Sequence, residues 1–123
     1  TVALHGLERT DYKGGKNVAI LGGGTIGLLT MQWAKIFGAK QVVVFDIVDE
    51  RLELAKRLGA TAGVNTLKDG FMDEAKAMTD GAGFDYVFET AGNTITMKMA
   101  FELAANKAEV LNNIAKSADT KNR

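Results

Sequence analysis

Gly22, Gly24 and Gly27 stand two and three residues apart in the run Gly22-Gly23-Gly24-Thr25-Ile26-Gly27, directly after the apolar stretch Val18-Ala19-Ile20-Leu21. This is the G-x-G-x-x-G spacing, and each glycine has a separate task in it. Gly22 permits a tight turn from a strand into a helix. Gly24 removes a side chain where a pyrophosphate must approach the backbone, and Gly27 lets the helix lie close to a sheet. A helix opening at Thr25 and Ile26 offers unpaired N–H groups and about half a positive charge, which suits a diphosphate. A second apolar stretch, from Gln41 to Phe45, ends in Asp46, 19 residues beyond Gly27. An acid at that distance is placed to meet the adenosine ribose of a dinucleotide.

Asp46 also bears on which dinucleotide. A carboxylate accepts hydrogen bonds from ribose hydroxyls, whereas a 2′-phosphate in the same place meets a like charge, so NAD is favoured over NADP. Arg51 lies about one helical turn further on and reads as a second ribose contact, a solvated helix residue being its plainer alternative. Thr90-Ala91-Gly92 closes a later apolar stretch, and there Ala91 and Gly92 would present backbone to the nicotinamide half. The remaining candidates have plainer readings. Glu89 suits a hydrogen-bonded structural role and Asp85 an anchor at the start of its strand. His5 reads as structural, and Trp33 and the methionines as core or domain-interface fillers.

These residues need a scaffold, and the pattern around them supplies one. Val2 to Arg9 reads as a short helix and Asp11 to Asn17 as a turn. Val18 to Leu21, Gln41 to Phe45, Ala62 to Asn65 and Phe84 to Glu89 read as strands. Apolar runs without alternation suit parallel strands covered on both faces. Between them come helices: Ile26, Leu29, Trp33 and Phe37 share one apolar face, and Leu52, Ala55 and Leu58 another, with Asp49 as N-cap. Phe71, Ala75 and Met78 mark a third helix, and Ile95, Met99 and Leu103 a fourth, capped by Asn93 or Thr94. Residues 108–111 suit either a fifth strand or an extension of the last helix, and 115–123 read as a frayed polar tail. Strand–helix alternation makes the expected fold an α/β, Rossmann-type doubly wound parallel sheet of four or five strands with helices on both faces. It forms one dinucleotide-binding domain over residues 1–114.

Composition removes several other classes. Lysine plus arginine equals aspartate plus glutamate at 15 each, so no global field draws nucleic acid. No apolar run approaches a spanning helix and there is no signal-peptide pattern, so no membrane is expected and the location is expected to be cytoplasmic. With no cysteine and one histidine among 123 residues, disulfides and cysteine-based zinc sites are excluded. Fourteen glycines against no proline leave the turns to glycine. The missing initiator methionine reads as a piece of a longer chain.

Taken in series, four segments resemble one family, the medium-chain, zinc-containing alcohol and polyol dehydrogenases. They are Val18 to Leu29, then Asp46 with Asp49-Glu50-Arg51-Leu52-Glu53-Leu54-Ala55, then Leu58-Gly59-Ala60, then Phe88-Glu89-Thr90-Ala91-Gly92-Asn93. The likeness is to the cofactor domain of sorbitol-type and sugar-alcohol-phosphate dehydrogenases, over roughly residues 1–107. It implies that Gly22, Gly24 and Gly27 hold the pyrophosphate, Asp46 and Arg51 the ribose, and that Ala91 and Gly92 border the nicotinamide. It implies zinc in the full-length enzyme, held by a catalytic domain of the same polypeptide that this chain lacks. No catalytic residue carries over, and the isolated chain is expected to be inactive. After Asn106 the sequence departs from the family pattern, since residues 107–123 contain no glycine. A bare interdomain face or open sheet edge makes a homo-oligomer the expected state. Two other readings of the same residues stay open: a non-catalytic nucleotide-binding or redox-sensing module, and an S-adenosylmethionine-dependent methyltransferase.

Overall fold

The structure, a computed structural model, describes the backbone of Val2–His5 and residues 16–105 in full. The expected turn at 11–17 falls almost wholly outside the described residues, and the alternatives for 108–111 and the tail at 115–123 lie wholly outside them. Strands and helices follow in the order β1 (Val2–His5), β2 (Asn17–Leu21), α1 (Thr25–Ile36), β3 (Gln41–Asp46), α2 (Asp49–Arg57), β4 (Ala62–Asn65), α3 (Phe71–Ala77), β5 (Tyr86–Glu89) and α4 (Thr94–Leu103). They build one sheet in the order β1-β5-β2-β3-β4. The four strands β5, β2, β3 and β4 run parallel. β2 is the centre: the chain leaves it one way to β3 and β4, then returns to its other side as β5. In such a sheet a crevice opens beyond the strand C-termini where the winding changes direction.

The strands are apolar without alternation because both faces are covered. Val18, Ile20, Val42 and Val44 pack with Met31 of α1 and with Leu52 and Ala55 of α2. Their neighbours Ala19, Leu21, Val43, Phe45, Val64 and Val87 point the other way, onto Ala75 of α3 and Ala100 and Leu103 of α4. The expected α/β doubly wound arrangement with helices on both faces is therefore present. Phe45 and Phe84 meet edge to face in the second layer, with centroids 6.1 Å apart and planes at 84°. At the opposite end from the crevice, Asp85 accepts a hydrogen bond from the Asn17 amide at 2.8 Å, which ties the start of β5 to that of β2.

Three expectations need correction. Val2–His5 is a strand, not part of a helix, and pairs antiparallel with β5 from Val2 opposite Glu89 to His5 opposite Tyr86. Residues 6–9 of the expected helix lie outside the described residues, and β5 without β1 would carry a row of unpaired N–H and C=O groups. The face of α1 turned inward is also not the expected one. Gly27 and Met31 are buried, while Ile26, Leu29, Trp33 and Phe37 are all exposed. Close packing at Gly27 turns the Gly27–Met31 side of the helix inward, and the expected apolar stripe is left facing out. Finally, Val48, not Asp49, occupies the N-cap of α2, and Leu58 is 44% exposed and not buried with Leu52 and Ala55.

Phe84 has no solvent-exposed surface and joins the core to the β5 approach. Phe84→Ala is expected to lower unfolding free energy by about 3–5 kcal/mol, read as a lower urea midpoint with unchanged slope. A loss under about 1 kcal/mol would show that this layer is not the packed core described.

Candidate functional site

The β2–α1 turn is shaped by two steric facts. Gly22 has φ +118°, a region that L side chains rarely adopt, and a Cβ there would collide with the Thr90 hydroxyl. A Cβ on Gly27 would overlap the carbonyl of Gly22, so α1 can approach the end of β2 only with glycine at that point. Gly24 differs: a Cβ there meets nothing within 4 Å and would project into open space. Gly24 is the N-cap of α1 and supplies no side-chain cap. The first intrahelical bond is Leu28 N–H to Gly24 O at 2.9 Å, and the amides of Thr25, Ile26 and Gly27 have no partner among the described residues. Orphan amides at a helix start form an anion site in waiting.

β3 delivers Asp46 to this turn. Its carboxylate is 6% exposed and accepts three backbone hydrogen bonds. Oδ2 takes Gly23 N–H at 2.7 Å, and Oδ1 takes Ile47 N–H at 2.7 Å and Val48 N–H at 2.9 Å. One side chain thus fixes the glycine loop and the start of α2 together. The Arg51 guanidinium lies 3.6 Å from Oδ2 and is itself 56% exposed. A carboxylate has about four acceptor sites. With three taken by amides, the remaining one at Oδ2 faces the exposed arginine and the crevice.

On the other side of β2, Thr90 closes β5 against it. Its amide and its hydroxyl both donate to Leu21 O, at 3.0 and 2.8 Å. Glu89 has no exposed surface and accepts from the amides of Ala91 and Gly92 and from the Thr96 hydroxyl. Asn93 caps α4 by accepting from Thr96 N–H at 2.9 Å. At the far end of β5, burial pushes the Tyr86 hydroxyl above its ordinary range, and the Asp85 charge adds to that shift.

Between these parts lies a crevice of about 540 Å³ at the C-terminal ends of β2, β3 and β5. Eight of the nine residues singled out from the sequence line it: Gly22, Gly24, Thr25, Ile26, Gly27, Asp46, Arg51 and Ala91. Gly92 does not, because its amide turns away to Glu89. Sequence reasoning missed Ile47 and Thr66 on the Asp46 side and Asn93, Ile95, Thr96 and Met99 on the β5 side. Ile47 carried a readable signal, an apolar residue placed directly after the strand-ending acid; the fold leaves it 58% exposed. The crevice therefore has an acidic end, an amide-lined middle and a second, mixed end. That division suits two nucleosides joined by a diphosphate, and the open cradle at Gly24 fits the group that must lie closest.

The pattern of the family described as zinc-binding dehydrogenase matches residues 25–113. The chain belongs to that family. Its members are medium-chain oxidoreductases, and this chain carries their Rossmann-like sheet. Sorbitol dehydrogenase of Bacillus subtilis is 38% identical over 100 residues, covering 81% of this chain and 28% of that protein. An Escherichia coli oxidoreductase/dehydrogenase of unknown specificity superposes with TM-score 0.72 at 41% identity, over 81% of this chain and 29% of that one. A protein assigned to the zinc-binding dehydrogenases of Sinorhizobium meliloti, bound to NADP, superposes with TM-score 0.67 at 36% identity, over 78% of this chain and 29% of the other. The chain spans about a third of the length of the curated relatives it matches. Zinc is implied by the family, but the donor set here does not fit it. The sequence has no cysteine, and among the described residues no three His, Asp or Glu side chains gather as a metal requires.

Gly27→Ala is expected to cost about 1–3 kcal/mol or more in stability, since the obstacle is backbone and cannot rotate away. Gly24→Ala, with open space around it, should stay within about 1 kcal/mol of the parent. Denaturant titration of both variants checks the pair, and equal costs would contradict the close approach at Gly27.

Proposed function

We propose that this chain is the NAD-binding part of an oxidoreductase. The full polypeptide would transfer hydride between a secondary alcohol of a polyol or sugar alcohol and the nicotinamide ring. The observation that carries the reading is the pairing of an amide cradle at Gly24–Gly27, whose N–H groups have no partner among the described residues, with the Asp46 carboxylate in one crevice. NAD, when bound, supplies the hydride acceptor. The chain's own residues bind and orient it. The α1 amides face the diphosphate, Asp46 accepts from a ribose hydroxyl with Arg51 beside it, and Ala91 borders the second ring. Similarity to sorbitol dehydrogenase supports the polyol class.

Asp46 favours NAD, because a 2′-phosphate would sit against a carboxylate already buried and held in place. The S. meliloti relative holds NADP, and Arg51 is the residue here through which such a preference would act. Titration calorimetry of the chain with NAD and NADP tests the reading. NAD is expected to bind at least about 10-fold more tightly, equivalent to about 1.4 kcal/mol. Equal affinities would remove the role given to Asp46, and no binding of either would leave family and fold alone.

The chemistry on the alcohol would come from a catalytic domain of the same polypeptide that also holds the zinc, so turnover by this chain alone is not expected. Among the described residues no helix is long and apolar enough to cross a membrane, and we place the protein in the cytoplasm. The chain would also self-associate when alone. Leu29, Trp33, Ile36 and Phe37 form an exposed apolar stripe along α1, 52–72% accessible, that nothing in this chain covers among the described residues. Sedimentation is expected to show weight-average mass rising with concentration, and Trp33→Lys to reduce the rise. A monomer at every concentration would contradict association.

A further inference from the structure

We propose that Glu89 is a positioning residue for the second nucleoside of the dinucleotide, acting through the Thr90–Asn93 loop; this rests on the dinucleotide reading above. Glu89 ends β5 with no exposed surface. Buried carboxylates are costly unless hydrogen-bonded or paired with a cation. Among the described residues no lysine or arginine pairs with it; its partners are two amides and one hydroxyl. Gly92 N–H donates to both carboxylate oxygens, at 2.9 and 2.7 Å, and Ala91 N–H donates to Oε2 at 3.1 Å. The Thr96 hydroxyl, from the first turn of α4, donates to the same Oε2.

These bonds do two things to the loop. They draw the amides of Ala91 and Gly92 inward, so that neither is presented to the crevice. They also lock the loop to α4 through Thr96, whose own amide is held by Asn93. Thr90, between Glu89 and Ala91, is fixed separately to β2 through Leu21 O. The wall left at this end is made by Thr90, Ala91, Asn93, Ile95, Thr96 and Met99. It offers neutral polar side chains and apolar surface where the α1 end offers backbone amides. A wall of that kind suits a heteroaromatic ring and not a second phosphate. Glu89 itself is absent from the crevice lining and reaches the ligand only through the loop it holds.

The arrangement separates the two halves of the ligand energetically. Asp46 and α1 serve the adenosine diphosphate half, and the loop held by Glu89 serves the other. ADP-ribose contains the first half and the second ribose and lacks only the nicotinamide ring, so it serves as the internal control for the ring this wall receives. Calorimetry of the 123-residue chain with NAD and with ADP-ribose is expected to show NAD binding more tightly. Glu89→Gln keeps the size of the side chain and replaces one acceptor by a donor that faces amide hydrogens. It is expected to weaken NAD about 10-fold while ADP-ribose changes less than about 2-fold. Thr96→Val removes one donor and retains the charge, so it should move NAD in the same direction by a smaller factor with the fold intact. Parallel loss of both ligands in Glu89→Gln, or no change in either variant, overturns the positioning role. Equal affinity of the parent chain for the two ligands overturns it as well. Failure of the parent chain to bind either ligand instead overturns the dinucleotide reading on which it rests.

Discussion

The carbonyl of Gly22 and the first turn of α1 lie so close that no side chain fits between them, and this approach sets the rest of the site. It fixes the rotation of α1 about its own axis, because the helix must turn Gly27 toward β2. Met31 follows Gly27 into the core one turn later, and Ile26, Leu29, Trp33 and Phe37 are carried to the outside. The same rotation leaves the amides of Thr25 and Ile26 at the floor of the crevice. Packing and anion recognition are therefore two results of a single steric requirement, as expected where a glycine fingerprint joins strand to helix.

Two carboxylates hold the loops on either side of that helix. Asp46 and Glu89 each end a parallel strand next to β2, and each is satisfied mainly by backbone amides. Their surroundings set them apart. Asp46 lines the crevice, with an exposed arginine beside it, and can still accept from a ligand. Glu89 is sealed, and its acceptor capacity is spent on its own loop and on Thr96. Charge-assisted bonds to amides are stronger than neutral ones, so both strand ends are held more firmly than their short loops would manage alone.

What could be read from the sequence was what is local. The glycine spacing, the apolar strands β2 and β3 and the acid at the end of β3 all lie within 30 residues of chain, and their meaning depends on spacing alone. The Thr90 hydroxyl bond to Leu21 O spans 69 residues and exists only once β5 has paired with β2, so no local pattern announces it. The outward face of α1 is not legible in the sequence for a related reason. Periodicity weighs large apolar residues, whereas the inward face was chosen by Gly27, a residue with no side chain. Val2 and Leu4, two apart, fit a strand as readily as part of a helix, and the open edge of β5 decides between them.

Trp33 is the only tryptophan in the chain, and it sits 58% exposed on the outer stripe of α1, stacked on Phe37 at 5.6 Å. Indole emission shifts to shorter wavelength when water is withdrawn from the ring. The emission wavelength of Trp33 would thus report on whether the back of α1 is covered. Trp33 is not among the residues lining the crevice, so this optical signal is tied to a different surface from the one that would receive a nucleotide.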